Sequence, residues 1–413
     1  MTTVPFVGVR LRSARLARTR TAEAADRRLV RRIGTIWGLL VLNVLSWAPG
    51  MSILPIPSSV GKIITQGALT LALLLALVVN PRLKIRPNIF LLLVTLLALE
   101  TVLTVFGTQY PRGTGYRTFR YLEFVAVLWL LSPYWNRADM LIVRCHLKSM
   151  LWVLSSVAVG YVVAHGHAMQ GGRLGGAIWP IDATQVAHYA AVTIGMVVIY
   201  WFCGQMRGRT TLIIVLLSLA ILLLSHTRTA LVGVIVGLLV AGLSLIAATP
   251  RVRKLFGAIA AIAAIAFATA SSTIISWMAR GQGSTQLGNL SGRTGFWGPL
   301  LAYPRTTFEE IFGFGISNGS FDGLPVDSNW MLSYQDQGLF GVVMCAVILV
   351  YLLIAAYFQS RGMRRALALF FVVYCLVASF TEDGITNPST YMLDVTVAAS
   401  LLLPTFRTQR QPS

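Results

Sequence analysis

Apolar runs of about 20 residues recur along the chain, separated by polar intervals, and none alternates apolar and polar positions with a period of two. As a helix, a run of that length crosses roughly 30 Å of hydrocarbon. The missing period-two pattern speaks against a membrane barrel, so the spanning elements are expected to be helices. The runs predict about twelve spans, near 33–49, 60–79, 88–106, 118–132, 145–164, 183–203, 211–226, 228–248, 255–277, 329–358, 365–381 and 389–405. The fold class expected is therefore an all-α polytopic membrane protein. One polar interval is long, 278–326, and it is expected to hold short helices of its own. Thr307 and Glu310 have capping-box spacing, which places a helix start at Thr307. Phe296, Trp297, Leu300, Leu301 and Tyr303 give the preceding segment an apolar face suited to a leaflet surface. The chain divides into a tail (1–32), a transmembrane domain (33–405) and a second tail (406–413).

Composition agrees. The chain is 56% hydrophobic and only 12% charged, about half the charged share of a soluble domain. The net charge of +20 would point to nucleic acid in a soluble protein. Here the distribution decides. Nine arginines precede residue 33, opposed by Glu23 and Asp26 alone, and no aromatic stacking platform accompanies them. They read as a cytoplasmic tail in contact with membrane lipids, with no nucleic-acid partner. With that tail inside, the intervals 80–87, 132–148, 204–210, 250–254 and 360–365 and the C-terminal tail also fall inside, and together these hold 25 of the 34 basic residues. Both termini are thus expected in the cytoplasm, and 278–326 outside. No cleavable signal peptide is expected, because the basic tail runs into a full span without a small-residue cleavage site. Cys145, Cys203, Cys345 and Cys375 lie in or beside apolar runs without a CxxC, so neither a disulfide framework nor a zinc site is expected.

Nine basic residues escape the topological account: Lys62, Arg112, Arg117, Arg120, Arg173, Arg228, Arg280, Arg293 and Arg305. All fall outside or in the outer half of a span, where an arginine lines a polar cavity, pairs with an anion, or snorkels to the interface. Snorkelling, or pairing with a nearby carboxylate (Asp182, Glu309 or Glu310), suits Arg112, Arg280 and Arg305 best. Arg173 stands in GGRLGG, Arg228 in SHTRTALVG within a very short hairpin, and Arg293 in SGRTGFW; Arg117 and Arg120 open the fourth span. A guanidinium pairs bidentately with phosphate oxygens, so several converging on one cleft would hold a diphosphate and stabilise it as a leaving group. His226, two residues before Arg228, is a candidate partner for phosphate or sugar. His165 and His167 lack further ligands at metal-binding spacing, so no metal is expected; His146 and His188 read as polar positions at span ends.

The order RLGG, SHTRTALVGVIVGLL, SGRTGFW…GFGISNG and VDSNWMLSYQDQGLFGVV resembles the O-antigen ligase and O-antigen polymerase superfamily, over roughly residues 173–348. The resemblance implies a GT-C-type membrane glycosyltransferase with catalysis on the outer face of a bacterial cytoplasmic membrane. It implies a glycan donor on undecaprenyl diphosphate, a glycan or lipid-linked acceptor, inversion at the anomeric carbon and no cofactor. Carried over, Arg173 and Arg228 contact the donor diphosphate and count as catalytic, and Arg293 matches the loop Gly-Arg. Ligases of the family place a histidine before the asparagine where this chain has Ser328. Asp327 is closer to the Asp-Asn form of polymerase-like members and becomes the candidate base.

Asp327 has two compatible readings, a base acting on an acceptor hydroxyl and an N-cap of the tenth span. Asn329 and Ser328 are candidate sugar- or acceptor-binding residues, as are Glu382 and Asp383 at the outer end of the eleventh span. Asp336 is expected to satisfy a buried polar partner. A different class stays open: a polytopic transporter or lipid-linked oligosaccharide flippase. A flippase is expected to carry charges deep in several spans, whereas here only Glu100, Glu123 and Asp394 approach that description.

Overall fold

The computed structural model describes residues 7–47, 52–53, 57–108, 110–135, 137–246, 252–253, 294–317 and 319–403. Among the described residues 74% are helical, with almost no sheet. The helices are α1 (Val7–Asn43), α2 (Ser58–Val79), α3 (Ile89–Thr104), α4 (Pro111–Leu131), α5 (Leu141–Val163), α6 (His165–Ala168), α7 (Ala183–Phe202), α8 (Gly208–Leu224), α9 (Arg228–Leu245), α10 (Thr294–Ala302), α11 (Thr307–Phe312), α12 (Asn329–Phe358), α13 (Met363–Ala378) and α14 (Thr390–Leu402). Two antiparallel two-residue ladders complete it: β1 (Met169–Gln170) with β2 (Arg173–Leu174), and β3 (Ser320–Phe321) with β4 (Leu324–Pro325).

Among the described residues five helices are long and apolar enough to cross a membrane: α2 from Ser59, α5, α7, α9 and α12. That supports a helical membrane protein. The count falls short of the twelve expected spans for identifiable reasons. Helices α3, α8 and α14 are apolar but shorter than 18 residues. Helix α4 begins at Pro111, ahead of the expected fourth span at 118–132, and so takes Arg112, Arg117 and Arg120 into its first turns. Proline suits that first position because its missing N–H has no helical acceptor there. The expected span 255–277 lies outside the described residues.

Two ends of the bundle can be told apart. At one, Asp26 of α1 pairs with Arg137, Arg364 donates to the Arg137 carbonyl, and Arg86 N–H donates to Ser132. At the other, Ser46 accepts from Asp182 N–H, Arg173 reaches the α8–α9 turn, and α12 starts against the α13–α14 loop. In the core, Gly233 and Gly237 on α9 let α13 approach so closely that an added Cβ would meet Tyr374 or Phe370 at 2.9 Å. Small residues one turn apart let helix backbones pack closely without a side chain between them.

The feature that shapes the second end is a break in α12. Gly338 has φ 62° and ψ −157°, so the helix is interrupted after Gln337. Two carbonyls there accept from the preceding loop: Phe314 N–H donates to Gln335 O and Gly315 N–H to Asp336 O, both at 2.9 Å. A broken helix at membrane depth is tolerated only when such groups are satisfied by protein. The approach is backbone on backbone: a Cβ at Gly338 would lie 2.5 Å from the Ile311 carbonyl, and one at Gly313 2.4 Å from the Asp336 carbonyl carbon. Helix α11 leads into this contact. Its cap is one residue earlier than expected: Thr306 accepts from Glu309 N–H while Glu309 accepts from Thr306 N–H. These bonds hold the Glu309 carboxyl below its usual range.

Gly338→Ala should lower stability by at least about 2 kcal/mol, since it adds both a positive-φ penalty and a clash. Gly67→Ala on α2, where nothing lies within 4 Å, should be neutral or stabilising by up to about 1 kcal/mol. Thermal unfolding of detergent-purified variants checks the pair; equal midpoints would remove the break as a structural constraint.

Candidate functional site

The α8–α9 turn is only Ser225–Thr227, and its geometry is set from outside. The β1–β2 turn uses Gly171 and Gly172, both at positive φ, and brings Arg173 across to this turn. Arg173 donates from Nε to the Ser225 carbonyl and from Nη2 to Thr227 Oγ1, each at 3.1 Å. His226, at the tip, adopts φ 50°. Arg228 follows as the first residue of α9, a helix with no side-chain cap. Its Nε and Nη2 are enclosed and meet no acceptor among the described residues. An enclosed guanidinium at an uncapped helix N-terminus combines two features that favour an anion. Arg173, expected as a direct phosphate ligand, is instead committed at two donors to holding the turn that carries Arg228.

Across the turn, Thr229 and Thr381 share a hydroxyl–hydroxyl bond of 2.5 Å. That ties α9 to the α13–α14 loop, 379–389. The same loop is stitched to the first segment of α12. Trp330 Nε1 donates to Ser379 Oγ at 3.0 Å, Ser333 and Thr386 share a bond of 2.8 Å, and Gln337 donates to the Thr386 carbonyl. Asn329 is the centre of this seam. Its backbone N–H points to the Ser379 and Glu382 carbonyls, its Oδ1 accepts from Gly384 and Ile385 N–H, and its Nδ2 donates to Cys345 Sγ. Both polar atoms of this buried side chain are therefore occupied. The expectation that Asn329 binds sugar gives way to a bracing role. The cap position of α12 is Ser328, not Asp327, and Ser328 makes no side-chain cap bond. Its Oγ is buried without a protein partner.

Two carboxylates flank the seam, Asp327 just before the cap of α12 and Asp383 on the α13–α14 loop. Asp327 and Asp383 are close enough to repel. The Asp383 side chain is exposed at its surface yet surrounded by many protein atoms. Burial there pushes its carboxyl above the usual Asp range, and the Asp327 charge pushes it further; a bond to its own backbone opposes both.

The remaining predicted residues approach the same end. Arg117 Nη1 points to the Ile316 carbonyl at 3.5 Å, and neighbouring Ser317 donates side-chain and backbone bonds to buried Asp336. Asp336 thus finds a polar partner, while its Oδ1 meets none. Arg120 donates to Asn43 on α1. Arg305 does not snorkel but lies within electrostatic reach of Glu309 and Glu310, as the carboxylate alternative expects. Its guanidinium lies over Phe314 (4.6 Å) and Tyr334 (4.2 Å) and donates to the Tyr334 carbonyl, and burial lowers its proton affinity from the usual arginine range. Arg112 is exposed. Arg293 and Arg280 lie outside the described residues.

Two buried groupings were not anticipated. Glu100 on α3 has both carboxylate oxygens enclosed without a partner, within electrostatic reach of Asp336. Deeper, His146 and His188 converge on Asp394 rather than standing at span ends. His146 Nε2 lies 2.9 Å from Oδ1 and His188 Nε2 3.1 Å from Oδ2. The first is an aligned hydrogen bond; the second is close but poorly aligned, leaving both of its atoms without a bonding partner. Trp37 donates to His146 Nδ1, and the Tyr374 hydroxyl meets His188 Nδ1, each at 3.2 Å. Because an indole N–H only donates, His146 must carry its proton on Nε2. The available signal was an Asp inside an apolar run together with two histidines in other runs.

No protein-family model matches this chain, and a search of curated proteins finds no match either.

Asp383 yields a pH test. A carboxyl raised in the folded state contributes stability that is complete below the ordinary Asp value, about 4, and is lost as pH rises through the folded value. Asp383→Asn, neutral throughout, should therefore raise the unfolding midpoint by about 2 °C at pH 8 and leave it unchanged near pH 4. An equal shift at both pH values would contradict the desolvated carboxyl.

Proposed function

We propose that this is a membrane glycosyltransferase of the O-antigen ligase and polymerase type. In this reading about twelve spans form a GT-C-type bundle in a bacterial cytoplasmic membrane, with both termini cytoplasmic. The end carrying Arg228 and Asp383 faces outward. The donor is a glycan on undecaprenyl diphosphate, the acceptor a glycan or lipid-linked glycan, and the transfer is inverting and independent of metal.

The observation that carries the reading is Arg228. It offers two enclosed N–H groups with no protein acceptor, at a helix N-terminus, and Thr229 beside it is tied to the loop bearing Glu382 and Asp383. A diphosphate held there is stabilised as it leaves, because a fixed cationic donor in an enclosed site needs no reorganisation as charge develops. Asp327 and Asp383 supply the base. The acceptor hydroxyl gives its proton to one carboxylate, its oxygen bonds to the anomeric carbon, and the bond from that carbon to the diphosphate oxygen breaks. Asp383 suits this role because a raised carboxyl is a better proton acceptor than an ordinary one. Arg117 and His226 extend the donor side, and Arg173 acts as a positioning residue through the 225–227 turn.

A second reading, a proton-coupled transporter of lipid-linked glycans, draws on Asp394 and its two histidines, since buried ionisable residues within spans recur in proton relays. Reconstituted protein given defined lipid-diphosphate glycan separates the two. An enzyme consumes the donor and yields longer or transferred product, and a transporter moves it unchanged.

For the enzyme, Arg228→Ala should lower kcat about 100-fold or more with the protein still in the membrane, and Arg228→Lys should recover part of it. Arg173→Ala should raise KM as well as lower kcat, because it loosens the turn. Donor consumption at the normal rate by the double variant would refute this mechanism.

A further inference from the structure

At the opposite end of the bundle, the basic segment of α1 passes the end of α2 and leaves a cleft of about 430 Å³. It is lined by Ala24, Ala25, Arg28, Leu29, Arg32 and Val79. Arg28 and Arg32 are one turn apart and so share a helix face. The acids of α1 are engaged elsewhere: Glu23 pairs with Arg27 and Asp26 with Arg137. Among the described residues no carboxylate forms an ion pair with Arg28 or Arg32. The alanines leave room beside the two guanidiniums, and Leu29 and Val79 make an apolar floor. The carbonyl that ends α2, on Val79, is already taken by the Tyr134 hydroxyl at 3.1 Å, so it does not compete for the arginines. From Val79 an exposed apolar stripe of Val78, Leu74 and Leu71 runs along α2 away from the cleft.

We propose that this cleft binds an anionic phospholipid. The phosphodiester headgroup lies between Arg28 and Arg32, and an acyl chain lies along the α2 stripe. Charge complementarity identifies the headgroup class: two unmatched arginines favour a lipid of net negative charge over a zwitterionic one. The continuous apolar stripe identifies a lipid over a free phosphate, which gains nothing from it. The site is independent of the glycosyltransferase reading, so either can fail alone.

The test is native mass spectrometry of the full-length protein with phosphatidylglycerol, phosphatidylcholine, inorganic phosphate and glycerophosphoglycerol, the headgroup without its chains. Phosphatidylglycerol should be retained preferentially. R28A/R32A should weaken it about 30-fold, the effect of two charges near an anionic surface. R207A/R209A removes two exposed arginines from another turn and should leave retention unchanged. Both variants alter exposed side chains, so the fold should persist, and unchanged unfolding midpoints would verify that. Equal retention of phosphatidylcholine, equal loss in the two double variants, or equal binding of glycerophosphoglycerol would each overturn the proposal.

Discussion

The architecture of the functional end depends on one backbone contact, the docking of Gly313, Phe314 and Gly315 against the interruption in α12. A helix that breaks at Gly338 exposes carbonyls, and each unsatisfied carbonyl in an apolar setting costs several kcal/mol. The two amides at Phe314 and Gly315 remove that cost for Gln335 and Asp336. Glycine is required on both sides because the chains meet without side chains between them. Once made, the contact fixes the first segment of α12, and that segment carries Asn329, Trp330, Ser333 and Gln337 into the α13–α14 loop. The positions of Asp327 and Asp383 follow from it.

The arginines at this end differ in how far protein groups occupy their donors. Arg173 has two donors on the 225–227 turn; Arg305 donates to one carbonyl and lies over two aromatic rings, while its Nε and Nη2 are enclosed without an acceptor among the described residues. Arg228 has two enclosed donors without an acceptor. Leaving a charged donor unpaired in an enclosed place is costly, and the cost disappears when an anion arrives. Both the unpaired Arg228 donors and the desolvated Asp383 carboxyl cost stability in the fold as it stands.

The helical membrane class was legible because helix-length apolar runs are a direct consequence of membrane physics. The long helix from Asn329 to Phe358 was read with its bounds, and Arg173 and Arg228 were brought to one turn as their glycine-rich and short-hairpin settings implied. What escaped the sequence was long-range pairing. Nothing local distinguishes Asn329 as a brace from Asn329 as a sugar ligand; only its meeting with Ile385 and Cys345 decides. The convergence of His146, His188 and Asp394 from three separate helices was invisible for the same reason. The Thr306 cap was missed by one residue because two adjacent threonines and two adjacent glutamates satisfy the spacing equally.

The buried Asp394 cluster explains how the bundle tolerates so polar an interior. A carboxylate at full burial is sustained only when donors converge on it. Here His146 supplies an aligned donor whose tautomer Trp37 enforces, while His188 makes a looser contact backed by Tyr374. Five helices, α1, α5, α7, α13 and α14, thereby meet at a single charge. Helices α13 and α14 are the pair whose connecting loop carries Glu382 and Asp383. A strained or rotated α14 would disturb the acid-bearing loop through Asp394 before it disturbed any surface contact. The cluster therefore links the packing of the core to the loop that carries Glu382 and Asp383.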